Sequence, residues 1–384
     1  MSRSPFLSLR CLCLVTALTW LIPLTAQASD CPAPGQWQVD SGETRSTAGL
    51  MPQLAETRVV LLGEQHNRMD HHRWQLHTLS ALHAHRPTMV IGLEMLPREA
   101  QPALDAWVDG KLSEAEFLEQ SNWRQAWGFN PELYLPILHF ARMQRIPLKA
   151  LNVTPALRGR LATEGWKAVP EQERFGITPP APAPPAYRAS LEAVYAQHAN
   201  RDGDPADLER FIAAQLIWDR AMATALMEAA GTDTLVVGLM GQGHLANGDG
   251  VPHQLDALGL KDHRSLLPWT PDTDCQPPAM QADAFYVLGD EAAFQLPDSP
   301  RLGVLIGAHE NGVLIQRMAS ESVAESAGLA ERDVIITAAG LPMADPADLT
   351  AVVSRQAPGT LLPLEVLRDG ERLEMLVPFP GDAP

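Results

Sequence analysis

Two short apolar runs, about 180 residues apart, each stop at a glycine and then deliver a histidine. Val59-Val60-Leu61-Leu62 leads into Gly63-Glu64-Gln65-His66, and Leu235-Val236-Val237-Gly238-Leu239-Met240 leads into Gly241-Gln242-Gly243-His244. Runs this short with no polar alternation read as strands buried on both faces. Around them, strand and helix patterns alternate. Arg58–Leu62 reads as a strand, His71–His85 as a helix with Leu76, Leu79 and Leu82 on one side, and Thr88–Leu93 as a second strand. Leu133–Arg145 is a helix, Pro147–Leu151 a strand, and Thr178 to Pro185 a Pro-rich extended loop. A long helix from Asp207 to Ala230 precedes the strand Leu235–Met240. This order predicts an α/β fold, a mostly parallel sheet with helices on both faces.

In an open parallel sheet, ligands bind outside the carboxyl ends of the strands. Four candidate residues fall at such ends: Glu64, His66, Glu94 (in Gly92-Leu93-Glu94-Met95) and His244. Two imidazoles with two carboxylates suit a divalent ion such as Zn, Mn or Fe. With an open position on the metal, one carboxylate could serve as general base. The same residues have a plainer reading, with Glu64 and Glu94 capping helices and the histidines hydrogen-bonding in a polar crevice. Further histidines crowd the first motif. His72 and Gln75 fall near each other on the helix that leaves it, while His71, His77, His83 and His85 read as a solvated face. No Gly-x-Ser-x-Gly elbow, His-Glu-x-x-His or phosphate-cradling Gly-x-x-x-x-Gly-Lys occurs.

The first 28 residues read as an export signal, with Arg3 and Arg10 ahead of an apolar Cys11–Leu24 and a small-x-small site at Ala26-Gln27-Ala28. An uncleaved N-terminal membrane anchor and lipid attachment at Cys31 are the alternatives, the latter weakened by Asp30 where a small residue is expected. Cleavage leaves Cys31 and Cys275, a pair expected to form one disulfide in an oxidising compartment. The bond would tie the mature N-terminus to the segment after the last strand of the first domain. Formal net charge is −17. With no basic patch to offset it, this charge excludes nucleic acid as a partner. From Thr270 to Pro300 the chain is rich in Pro, Asp and Gln and reads as a connector; about 80 residues of short strands with one or two helices follow, a separate β-rich domain.

In combination and order, several motifs resemble the ChaN-like haem-binding uptake domain of the Tiki superfamily. They are Gly63-Glu64-Gln65-His66 with His71-His72, Gly92-Leu93-Glu94-Met95, Leu151-Asn152, the helix Ala214 to Ala223 containing Trp218-Asp219-Arg220, and Gly241-Gln242-Gly243-His244 with Gly250-Val251-Pro252. The resemblance spans residues 46–265. It implies an α/β fold and a periplasmic or outer-membrane-associated role in haem or iron acquisition. Metal-dependent proteases and esterase-like members of the superfamily imply an alternative, a hydrolase using Glu64, His66, Glu94 and His244. Haem needs an axial donor, with Tyr195, His198 and Tyr134 as candidates, and an apolar slot that a homodimer could close. Residues 296–378, after a linker over 266–295, resemble a bacterial PDZ domain. Leu302-Gly303-Val304 matches its carboxylate-binding loop, Ala327-Gly328-Leu329 and Asp333-Val334-Ile335-Ile336 its next signatures, and Asp348–Val353 its groove helix. Arg332 replaces the usual glycine before the aspartate. The implied partner is a C-terminal peptide added to the sheet as a strand.

Overall fold

A computed structural model describes residues 31–39, 42–198, 205–271, 275, 280–289 and 300–381. The expected export signal, residues 1–28, lies outside the described residues. The chain divides into two compact units, the first ending at residue 293.

The first unit begins with β1 (Gln36–Val39), β2 (Thr44–Ser46), α1 (Thr47–Glu56), β3 (Val59–Glu64), α2 (Met69–His85) and β4 (Met89–Pro97). Then come α3 (Gln101–Val108), α4 (Glu114–Gln120), α5 (Trp123–Ala126), α6 (Leu135–Gln144), β5 (Leu148–Asn152) and α7 (Pro155–Thr163). Last are α8 (Pro185–His198), α9 (Pro205–Ala229), β6 (Leu235–Gly241), α10 (Val251–Ala257), β7 (His263–Trp269) and β8 (Ala284–Val287). The strands form one eight-stranded sheet in the order β2-β1-β8-β7-β3-β6-β4-β5. The six from β8 to β5 are parallel; β1 and β2 are antiparallel additions at one edge.

Strand alternation explains the two layers. In β3, Val60 and Leu62 pack with Trp74, Leu79 and Leu82 of α2 on one face, while Val59 and Leu61 pack with Met222 and Leu226 of α9 on the other. All four β3 side chains are fully buried. At about 1.5–3 kcal/mol per buried aliphatic side chain, one uninterrupted apolar strand serves two cores at once. Among the described residues, no helix is long and apolar enough to cross a membrane.

The sequence expectation of a linker over 266–295 is corrected here. β7 pairs in parallel with β3, and β8 with β7, so Leu266, Leu267, Trp269, Phe285 and Val287 are core. Proline and aspartate between these strands hid two short edge-ward strands. Cys31 and Cys275 are joined, with Cα atoms 5.1 Å apart. The bond therefore reaches the connection between β7 and β8, not a segment beyond the last strand.

The second unit holds β9 (Val304–His309), β10 (Gly312–Met318), α11 (Val323–Ser326), β11 (Val334–Ala338), β12 (Leu341–Pro342), α12 (Pro346–Ser354), β13 (Leu361–Arg368) and β14 (Glu371–Pro378). Its sheet runs β14-β13-β11-β10-β9, all antiparallel, with β12 on β11. Ile315, Ile335, Leu349, Leu362 and Val366 form its separate core. Leu302 is buried, and Gly303 has φ +78°, a left-handed turn in which a Cβ would stand 2.5 Å from Ser322 Cβ. The loop thus turns directly into β9, which ends the strand order and has β10 as its partner among the described residues.

Candidate functional site

The ends of β3, β4 and β6 are adjacent because these strands are neighbours in the sheet. Glu64, the last residue of β3, lies in register with Gly241 of β6, and Leu93 of β4 with Leu239 of β6. All four strand-end candidates meet at this edge, arranged as two hydrogen-bonded groups.

The first is centred on Glu64, which is 1 % exposed. Its Oε1 lies 2.7 Å from His66 Nδ1 and accepts from the Tyr134 hydroxyl at 2.9 Å, and its Oε2 lies 2.8 Å from His72 Nδ1. Burial by itself would push this carboxyl up, but the bonds and charges of His66 and His72 outweigh it and hold the pKa at about 2. Burial likewise disfavours the charged form of His66, yet its bond to Glu64 and the charges of Glu94 and Glu64 raise it above the usual imidazole range. The His66 ring is partly open and sits against Trp127 and Phe129, at 4.6 and 5.1 Å between centroids.

The second group is centred on His244. Its Nδ1 lies 2.5 Å from Asp219 Oδ1, and Asp219 Oδ2 accepts from the Tyr187 hydroxyl at 2.8 Å. Nε2 stands 3.3 Å from Glu94 Oε1, which makes no aligned hydrogen bond, while Glu94 Oε2 accepts the Gly241 N–H at 2.6 Å. Burial opposes the imidazolium, but Glu94 and Asp219 prevail and raise the pKa to about 10. Gly241 keeps the two groups in view of each other. A Cβ there would fall 2.8 Å from His66 Cε1 and 3.8 Å from Glu94 Oε2, so any side chain would fill the space between them.

The divalent-metal expectation is not supported. Among the described residues, no three His, Cys, Asp or Glu side chains are arranged to hold a metal ion. The carboxylates are instead taken up by histidines, tyrosines and a backbone N–H. His71 also departs from expectation. It is buried rather than solvated, its Nδ1 accepts the Gln65 N–H, and burial pushes its pKa down to about 4. His72 and Gln75 do meet, with Nδ1 3.2 Å from Oε1, and both are buried.

Asp219, Tyr187, Gln215, Trp218 and Arg158 complete the surroundings and were not singled out as site residues by sequence reasoning. Gln215 Nε2 lies 3.2 Å from His244 Nδ1, Trp218 packs edge-on to the His244 ring, and the Arg158 guanidinium lies 4.0 Å from the Trp218 ring centroid. The available signal was the helical spacing of Gln215, Trp218 and Asp219, which does not say which face meets a crevice.

The four tyrosines differ in what surrounds them. Tyr134, 2 % exposed, spends its hydroxyl on Glu64, and burial with the Glu64 charge raises its pKa; this corrects its place as a ligand candidate. Tyr187 is held the same way by Asp219, and Tyr286 is raised by burial among Trp37 and Trp74. Tyr195, on α8, is partly exposed and its hydroxyl has no partner among the described residues. Its ring lies 5.5 Å from that of Phe211 on α9, which supplies an apolar neighbour. An accessible phenol beside an apolar face fits what haem needs. The His198 side chain lies outside the described residues.

Residues 50–255 match the family described as haem-binding uptake, Tiki superfamily, ChaN. The chain belongs to this family. Residues 300–378 of this ChaN-like protein match the PDZ domain family. A solved structure described as cofacial haem binding to ChaN of Campylobacter jejuni shares the first unit's fold. Its TM-score is 0.52 at 17% identity, over 65% of this chain and 95% of that one. The HtrA3 PDZ domain bound to a phage-derived ligand aligns at 23% identity over 20% of this chain and 82% of that chain, TM-score 0.19. The HtrA-type protease AlgW with a decapeptide aligns at 22% identity over 22% of this chain and 30% of that one, TM-score 0.21. No curated protein matches the chain.

Proposed function

We propose that this ChaN-like protein is exported and binds haem through Tyr195, serving haem or iron acquisition on the periplasmic side, in association with the outer membrane. The supporting observation is that Tyr195, partly exposed beside Phe211, has no hydroxyl partner among the described residues, whereas carboxylates hold the Tyr134 and Tyr187 hydroxyls and Tyr286 packs against Trp37 and Trp74. Haem, when bound, would supply an iron centre, and Tyr195 would be the residue that holds it. The chain's own part is to present Tyr195 beside Phe211 and to hold the Tyr134 and Tyr187 hydroxyls away from any iron. The PDZ unit takes the C-terminus of a partner on the edge of β9 that is unpaired among the described residues, the carboxylate lying at Leu302-Gly303-Val304.

Titrating haem into the protein and following the Soret band tests the reading. Tyr195→Phe is expected to shift the band and weaken binding about tenfold or more, an estimate taken from the loss of one charged contact. Tyr134→Phe should leave the band in place. An unchanged Tyr195→Phe spectrum overturns the assignment.

A second reading rests on the two imidazoles that carboxylates hold at one crevice. Glu64, His66, Glu94 and His244 would then hydrolyse an ester or peptide, with His66 and His244 moving the proton. Turnover that disappears in Glu64→Gln and His244→Gln would favour it; no turnover by the native protein would remove it.

A further inference from the structure

Arginines near α9 differ in what they hold. Arg98 pairs with Glu228, and Arg220 donates to Thr178 and to the Gln254 carbonyl. Arg158 donates to no acceptor among the described residues, and no carboxylate there is within ion-pair reach; its contact is the face of Trp218. Burial lowers its pKa against the charge of Glu94, so the cation is partly desolvated with nothing to bond. The Trp218 Nε1 atom is also buried without a partner among the described residues. Side by side and without acceptors among the described residues, these two donors are ready to take an acceptor group from a ligand.

The helix sets the spacing. Phe211, Gln215 and Trp218 stand at i, i+4 and i+7, so they share one face of α9. That face begins at Tyr195, packed on Phe211, and ends at Arg158, packed on Trp218. The rise from Phe211 to Trp218 is about 10 Å, so the face links the neighbour of Tyr195 to the neighbour of Arg158. Guanidinium is suited to such a group because it donates two parallel hydrogen bonds to a carboxylate.

We propose that Arg158, held flat on Trp218, is the carboxylate clamp of the haem site and takes a propionate. This rests on the haem reading above. It adds a specificity: the protein recognises the porphyrin's acidic edge, and esterified porphyrins lose that recognition.

The experiment compares haem with haem dimethyl ester, by absorbance titration of the native protein, Arg158→Met and Arg158→Lys. The native protein should bind haem more tightly than the ester. Arg158→Met should weaken haem by about tenfold or more while leaving the ester unchanged. Arg158→Lys should fall between, because an ammonium keeps the charge but not the planar fork. Equal native affinities for the two porphyrins, or an Arg158→Met that binds haem as the native protein does, overturn the clamp alone. Equal loss of both porphyrins with an unchanged thermal melt also overturns it. Should Arg158→Met fail to fold, the haem-to-ester ratio in Arg158→Lys decides, an unchanged ratio counting against the clamp. A native protein that binds neither porphyrin overturns the haem reading and the clamp with it.

Discussion

At the scale of single residues, identity mattered less than what each side chain was bonded to. Tyr134 and Tyr195 are the same phenol, yet one is buried on the Glu64 carboxylate and the other is accessible. As residue types both were candidates, and only Tyr195 had a histidine three residues away to add to it. The histidines divide in the same way: His71 is a buried acceptor, while His244 is an imidazolium between Asp219 and Glu94. The latter sets a pH dependence. Because His244 is raised to about 10 in the folded chain, its pairing stabilises fully below the unfolded value near 6.5. That contribution is lost as pH rises through 10. The stability difference between native protein and His244→Asn should therefore shrink steadily from pH 6.5 to 10 in thermal melts. A difference that stays constant or grows over that range would contradict the assignment.

Elements carried the site's location. Glu64, Glu94 and His244 were legible because each ends an apolar run, and parallel strands put their carboxyl ends together. Asp219 and Trp218 were not legible as site residues. They lie in the middle of α9, where periodicity marks a buried face without saying whether it packs on the sheet or on a crevice. The strands β7 and β8 were missed for a related reason, since short segments flanked by Pro and Asp carry a weak pattern until a neighbour pairs with them. The two-sided burial of β3 yields a prediction at this scale. Leu61→Ala and Leu62→Ala remove fully buried side chains from opposite layers, and each should cost about 2–5 kcal/mol in denaturant unfolding. Their effects should add, because the sheet separates the two cavities.

In the whole molecule, two units have separate cores and separate sheets. The disulfide belongs to the first, and its cysteines are 244 positions apart in the sequence. By the chain-entropy argument, closing so long a loop stabilises by up to about 5 kcal/mol. Cys275→Ser should lower the calorimetric transition of the first unit and leave that of the PDZ unit in place. A single transition that moves as a whole would show the two units to be thermodynamically coupled.

By itself the sequence determined the two-domain order, the α/β class, the family and the strand ends where acids and histidines gather. These follow from local periodicity and from motifs contiguous in the chain. Only the tertiary structure decided that the four strand-end residues form two paired groups instead of one ligand set, that Asp219 and Tyr187 support His244, and that the Tyr134 hydroxyl is held by Glu64 while that of Tyr195 has no partner among the described residues. Protonation, burial and hydrogen-bond partners are properties of neighbours, and for these residues the neighbours arrive from up to 150 residues away.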